Sequence, residues 1–141
     1  MAQENQDAIG VIVDSHCGVA DEMLRATELI VGRLDGFKAI SIQPQVPMDD
    51  TIRKFQEALK EVDRGKGVLI LTDLFGGTPA NIGLSFLSPK VEVVFGFNLP
   101  MLIKLTSCRT DCTLEQAAQT AKEYGRRHIS VAGESLSKDV K

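Results

Sequence analysis

The chain has 141 residues, 43% of them apolar and 25% charged, which suits one compact domain and excludes a disordered chain. No apolar run approaches the roughly 18 residues of a membrane span, and the polar, acid-bearing stretch Met1 to Asp7 does not read as a secretory signal. A net charge of −3 implies no basic face, which argues against nucleic acid as a partner. Three cysteines, Cys17, Cys108 and Cys112, cannot all pair, and without a signal they read as reduced thiols in a cytosol.

Strand and helix alternate along the chain. Ala8 to Asp14 (AIGVIVD) is short, nearly all apolar and rich in Val and Ile, as expected of a strand buried on both faces. From Val19 to Leu34 the residues Ala20, Met23, Leu24, Ile30, Val31 and Leu34 recur at helical spacing and predict one apolar stripe. Phe37 to Gln43 reads as a second strand, stopped by Pro44 and Pro47. Met48, Ile52, Phe55, Leu59 and Val62 form a second helical stripe, and Lys66 to Asp73 holds a third buried strand, GVLILTD. Thr78 then suits a helix N-cap and Pro79 the first helical position, with the helix running to Leu87.

Val91 to Phe97 reads as a fourth strand. Asn98 suits the cap of a helix through Arg109, with Pro100 in its first turn. Thr113-Leu114-Glu115-Gln116 has the form of a capping box and opens a last helix ending near Gly125. His128 to Ala132 (HISVA) reads as a short fifth strand. Residues 1–7 and 133–141 read as loose ends around one domain spanning 8–132.

This alternation predicts a doubly wound α/β fold, a mainly parallel sheet with helices on both faces. The expected strand order is 2-1-3-4, which sets strands 1 and 3 side by side at the switch point where ligands bind. Strand 1 leads into Asp14-Ser15-His16-Cys17-Gly18 and strand 3 into Thr72-Asp73-Leu74-Phe75-Gly76-Gly77-Thr78. His16 and Asp73 are therefore expected to meet across the crevice. A carboxylate holding the proton of one imidazole nitrogen leaves the other nitrogen a free lone pair, and it stabilises the positive ring formed when that lone pair attacks. Gly76 and Gly77 let the backbone come close to a ligand, and the helix starting at Thr78 turns unpaired N–H groups and its positive dipole end toward the crevice. A nucleophilic histidine beside a phosphate cradle points to a phosphohistidine, formed and discharged through positioning and charge stabilisation. No cofactor or metal is called for by this chemistry, and no metal-ligand cluster stands out in the sequence.

Three motifs, VDSHCG after strand 1, TDLFGGTPAN after strand 3 and GFNLPML after strand 4, occur in this order over residues 8 to 132. In these motifs the chain resembles the IIA domain of the mannose family (mannose/fructose/sorbose) of the bacterial phosphoenolpyruvate:sugar phosphotransferase system. The resemblance implies a cytoplasmic phosphotransferase that accepts a phosphoryl group from the carrier HPr on His16, with Asp73 orienting and stabilising the ring, and passes it to a IIB component for sugar uptake. Read from the residues themselves, Gly76, Gly77 and Thr78 form the phosphate cradle, with Ser15, Cys17, Phe75, Asn98 and Pro100 as candidate loop contacts. The resemblance also implies a homodimer that exchanges a short antiparallel C-terminal strand, here HISVA. The family usually carries glycine directly after the histidine, where this chain has Cys17 followed by Gly18.

Other readings are open from sequence. A free-standing IIA domain can act as a regulatory phospho-signalling protein instead of driving transport, with the same chemistry at His16. Asp73 also sits where a receiver-like domain keeps its phosphorylated aspartate, but the acidic pair after strand 1 and the lysine after a fifth parallel strand are missing. Cys17 as nucleophile lacks the closely following arginine of a phosphatase loop, since the next one is Arg25. Cys108 and Cys112 read as packing thiols, and Gly65-Lys66-Gly67 precedes a strand, so it is not a P-loop. Asp14 and Ser15 read as residues that orient the loop.

Overall fold

The computed structural model describes residues 7–140. Its elements are β1 (Gly10–His16), α1 (Val19–Val31), β2 (Phe37–Ile42), α2 (Met48–Val62), β3 (Val68–Thr72), α3 (Gly77–Ser85), β4 (Val91–Phe95), α4 (Leu99–Cys108), α5 (Leu114–Arg127) and α6 (Ala132–Val140). The four strands form one sheet in the order β2-β1-β3-β4, and all three pairings are parallel. This is the doubly wound α/β architecture expected from the alternating pattern.

The sheet separates two apolar layers. Ile9, Val11, Val13, Leu69 and Leu71 pack with Ala20, Leu102, Leu105 and Ala117 on the face covered by α1, α4 and α5. Ile12, Ile40, Val68 and Ile70 pack with Phe55, Ala58, Val62 and Ile82 on the face covered by α2 and α3. Alternate residues of β1 and β3 serve opposite faces, so both strands are apolar nearly throughout. That double burial made them legible as continuous runs.

Several boundaries differ from the sequence reading, each for a local reason. β1 runs on to His16, two residues beyond the expected end, because its pairing with β2 continues to Ile42. α1 stops at Val31, before Gly32, and its inner face carries Ala20 and Thr27 where Ile30 and Val31 were expected. Ile30 and Val31 are exposed, while Thr27 satisfies its buried hydroxyl by donating to the Met23 carbonyl at 2.8 Å. α3 begins at Gly77 with Gly76 as its N-cap, so Thr78 is not the cap. Gly76 takes that place because its φ of +98° with ψ of 163° is a backbone conformation essentially reserved for glycine.

Asn98 does cap α4, and Thr113 with Gln116 closes a capping box on α5. Gly125 does not end α5. A Cβ there would come within 2.8 Å of Met101 Cε and 3.2 Å of Asn98 Oδ1, so its role is close packing of α5 on α4. Residues 128–131 join no strand among the described residues, and Ile129 and Val131 are exposed. A strand needs an edge to pair with, whereas the following residues satisfy their backbone locally as α6. The end read as loose is therefore helical through Val140, with Lys141 outside the described residues. The loose start read for residues 1–7 lies, apart from Asp7, outside them as well. Among the described residues no helix is long and apolar enough to cross a membrane.

Candidate active site

The parallel pairing of β1 with β3 fixes the site. Asp14 is in register with Thr72, so the residues that follow, His16 and Asp73, lie beside each other at the carboxyl ends of the strands. Asp73 Oδ2 accepts two hydrogen bonds from the same residue, 2.9 Å from the His16 backbone N–H and 2.9 Å from the ring nitrogen Nδ1. An ionised carboxylate can only accept, so Nδ1 carries the proton and Nε2 is left with its lone pair. The ring is about half exposed (48%), while the Asp73 side chain is 15% exposed. Burial opposes ionisation of Asp73, yet the hydrogen bonds from the His16 N–H and ring, with the ring's charge, outweigh it and hold the carboxyl below its ordinary range.

The free nitrogen faces the start of α3. A Cβ on Gly77 would sit 3.3 Å from both Nε2 and Cε1 of His16, and φ at Gly77 is +86°. Only glycine combines that backbone conformation with that clearance. The first N–H groups of α3 have no partner within the helix, and Pro79 has none to offer, which leaves those of Gly77 and Thr78 as donors at the start of α3. They and the helix dipole favour negative charge there.

Ser15 is fully buried and organises the loop. Its hydroxyl accepts from the Ala20 N–H at 2.7 Å and lies 3.1 and 3.3 Å from the carbonyls of His16 and Cys17. Cys17 adopts φ +48°, the left-handed region, which few non-glycine residues occupy. Its thiol-bearing side chain is exposed.

A cavity of about 240 Å³ opens beside His16 and Cys17, walled by Pro44, Val46, Thr78, Pro79 and Ile82 among others. The β2–α2 loop residues were not singled out from sequence, because only strand order and the bend at the prolines bring them to the crevice. Phe75, 76% exposed, projects from the β3–α3 loop and meets Phe95 edge-on at 5.0 Å. The structure does not bring Asn98 and Pro100 to this cavity. Asn98 is spent on structure, accepting from Met101 N–H and donating to the Gly125 carbonyl.

Asp14, read from sequence as a residue that orients the loop, is buried in a way the sequence does not show. Asp14, next along β1 on the same face as His16, has no solvent exposure, and neither of its carboxyl oxygens has a hydrogen-bond partner among the described residues. Burial, and then the negative charge of Asp73, push its carboxyl up to about 8.

A family model described as the fructose IIA component of the phosphotransferase system (PTS) matches residues 10–122. The chain is 27% identical over 132 residues to the PTS fructose-specific EIIA component of Bacillus subtilis, covering 92% of this chain and 90% of that one. It is 29% identical over 124 residues to the PTS mannose-specific EIIAB component of Escherichia coli, covering 86% of this chain and 38% of that protein's length. The solved mannose/sorbose-specific IIA subunit of Enterococcus faecalis superposes with a TM-score of 0.77 at 29% identity, covering 88% of this chain and 94% of that one. A doubly wound sheet with a histidine–carboxylate pair at its switch point, and a family match over most of that sheet, lead to one conclusion: the chain belongs to the mannose-type IIA family of the phosphoenolpyruvate:sugar phosphotransferase system.

Proposed function

We propose that this chain is a phosphocarrier in which His16 Nε2 accepts a phosphoryl group from phospho-HPr and passes it to a IIB component. The observation that carries the reading is the 2.9 Å contact between His16 Nδ1 and Asp73 Oδ2. It fixes the tautomer, so Nε2 presents its lone pair to phosphorus as the phosphorus–nitrogen bond of the donor breaks. Positive charge appears on the ring and is countered by Asp73. The phosphoryl oxygens meet the Gly77 and Thr78 N–H groups at the start of α3. Transfer to IIB reverses these events.

Protein partners suit the surroundings. A half-exposed nucleophile, the projecting Phe75 and an apolar cavity beside the ring offer a surface for a carrier's apolar side chains. The setting of such a relay is the cytoplasm, where HPr is found. A homodimer completes the reading. β4 pairs with no strand but β3 among the described residues, and the irregular segment with exposed Ile129 and Val131 is suited to exchange between subunits.

Incubation with phosphoenolpyruvate, enzyme I and HPr tests the relay. The wild-type chain gains one phosphoryl group, stable in alkali and lost in acid. His16→Ala gains none. Stoichiometric label retained in His16→Ala, or a label lost in alkali, contradicts the assignment.

A further inference from the structure

The transfer mechanism uses one oxygen of Asp73 and leaves the other unexplained. Oδ1 of Asp73 is buried and has no hydrogen-bond partner among the described residues, and the same is true of both oxygens of Asp14. Three orphaned carboxyl oxygens in one small region are not a chance of exposure, because an unpaired buried acceptor is costly. The two residues are already linked through the backbone, the Asp73 N–H donating to the Asp14 carbonyl at 3.2 Å. On β1 the Asp14 side chain points to the same face as His16 and lies beneath it, where Oδ2 would be 3.6 Å from a Cβ on Gly83 of α3.

We propose that Asp14 is a positioning residue that shares a proton with Asp73: its protonated carboxyl donates toward Asp73 Oδ1 through one bridging water, and so locks the carboxylate that holds the His16 ring. The inference rests on the reading of His16 as phosphoryl acceptor for its consequence, though not for its geometry. With Oδ1 anchored from below, Oδ2 stays on Nδ1 and the N–H of His16, and Nε2 stays aimed at Gly77. When Asp14 ionises, a donor becomes a second acceptor and two carboxylates repel.

The surroundings of Asp14 isolate this pair. In register with it are Ile40 on β2 and Thr72 on β3. α3 carries no titratable side chain. α2 buries Thr51, Phe55 and Ala58 toward the sheet, its Asp50 is paired with Arg53, and Arg53, Lys54, Glu57, Lys60 and Glu61 are exposed. On β2 the exposed Lys38 is paired with Glu61. Asp73 and, beyond it, His16 are the titratable groups that face Asp14 from these elements. Burial and the Asp73 charge keep Asp14 protonated up to about pH 8, so the donor is present at neutral pH.

The test is a pH titration of the full chain labelled with ¹³C at aspartate carboxyls, read by NMR. The Asp14 and Asp73 carboxyl signals move together in one step near pH 8. That step disappears from the Asp73 signal in Asp14→Asn, and the Asp14 midpoint falls in Asp73→Asn. An Asp73 signal that is unresponsive above neutral pH, or an Asp14 that titrates with ordinary surface carboxylates, overturns the proposal. Transfer rates give a second readout. The wild type loses rate as pH rises through 8 and Asp14→Asn does not, because its amide still donates and cannot ionise. Asp14→Leu, which fills the space without a donor, is slower than Asp14→Asn at pH 7 by roughly tenfold, the worth of one charge-assisted hydrogen bond. Equal rates in the two variants contradict the donor role. Coupled carboxyls without any labelling of His16 overturn the transfer reading and leave the shared proton standing, whereas labelling without coupling overturns only the shared proton.

Discussion

At Gly77 two constraints coincide in one residue. The backbone is left-handed, at φ +86°, and the space where a Cβ would stand is 3.3 Å from Nε2 of His16. Gly76 shares the first constraint, at φ +98°, but has open space around it. Alanine at either position strains the backbone by about 1–3 kcal/mol. Gly77→Ala also crowds Nε2 and removes the clearance a phosphoryl group needs. Single-turnover transfer from phospho-HPr should therefore fall further in Gly77→Ala than in Gly76→Ala, although both lose comparable melting temperature. Equal losses of rate would mean the turn matters only as structure. Asp14 makes a second prediction, on stability. Its carboxyl rises from 3.8 to about 8 on folding, so the folded state holds a proton that the unfolded chain gives up. Its contribution is fully present below pH 3.8 and is lost as pH rises to about 8, in total on the order of 5 kcal/mol. Asp73 has the opposite sign, its depressed carboxyl adding stability above the unfolded value that is lost as pH falls through the folded one. Asp14→Asn removes only the first effect. Chemical denaturation should find it more stable than the wild type by a few kcal/mol (roughly 3 or more) at pH 7 to 8, with the gap closing near pH 4. A gap independent of pH would contradict the neutral, buried carboxyl.

Among the elements, the register of β1 against β3 matters most, because one hydrogen-bonded pairing sets His16 beside Asp73. Much of this was legible in the sequence. Apolar runs gave the four strands of the sheet though not the expected fifth, strand–helix alternation gave the parallel pairing, and the ends of strands 1 and 3 gave the meeting of His16 with Asp73. What escaped depended on surroundings that the local sequence does not contain. Thr27 reads as polar and is buried because its hydroxyl finds the Met23 carbonyl. Thr78 resembles a cap, but Gly76 alone can take the backbone conformation the turn demands. Arg109 is expected from sequence only as the last residue of the helix that Asn98 caps. It is instead 5% exposed, donating to the carbonyls of Ile9 (3.0 Å) and Asp35 and lying over the Phe37 ring at 4.9 Å. It thereby ties the end of α4 to the entry of β1 and the turn before β2, and Gly36 is needed there because a Cβ would meet Nη1 at 2.8 Å. Arg109→Ala removes the donor to the buried Ile9 carbonyl and to the part-buried Asp35 carbonyl, and should destabilise the chain by roughly 2–4 kcal/mol. Thermal unfolding checks this, and a shift of less than about 2 °C would show that the guanidinium is not a structural tie.

On the scale of the whole molecule, the sheet has two edges. β2 and β4 are the edge strands, and the segment after α5 exposes Ile129 and Val131. An open edge and an unpaired apolar segment are liabilities in a monomer and assets in an exchanged dimer. Light scattering at micromolar concentration should give twice the chain mass, and Val131→Asp should shift it toward the monomer. A monomeric wild type would contradict the exchange.

In the proposed relay Asp73 holds the Nδ1 proton of His16 and leaves Nε2 to take the phosphoryl group. The most direct measurement is long-range ¹H–¹⁵N and ³¹P NMR of the ¹⁵N-histidine-labelled chain after phosphorylation. The expected result is phosphorus coupled to Nε2 of His16, with a proton retained on Nδ1. Phosphorus on Nδ1, or on Asp73 or Cys17 in place of the ring, would contradict it.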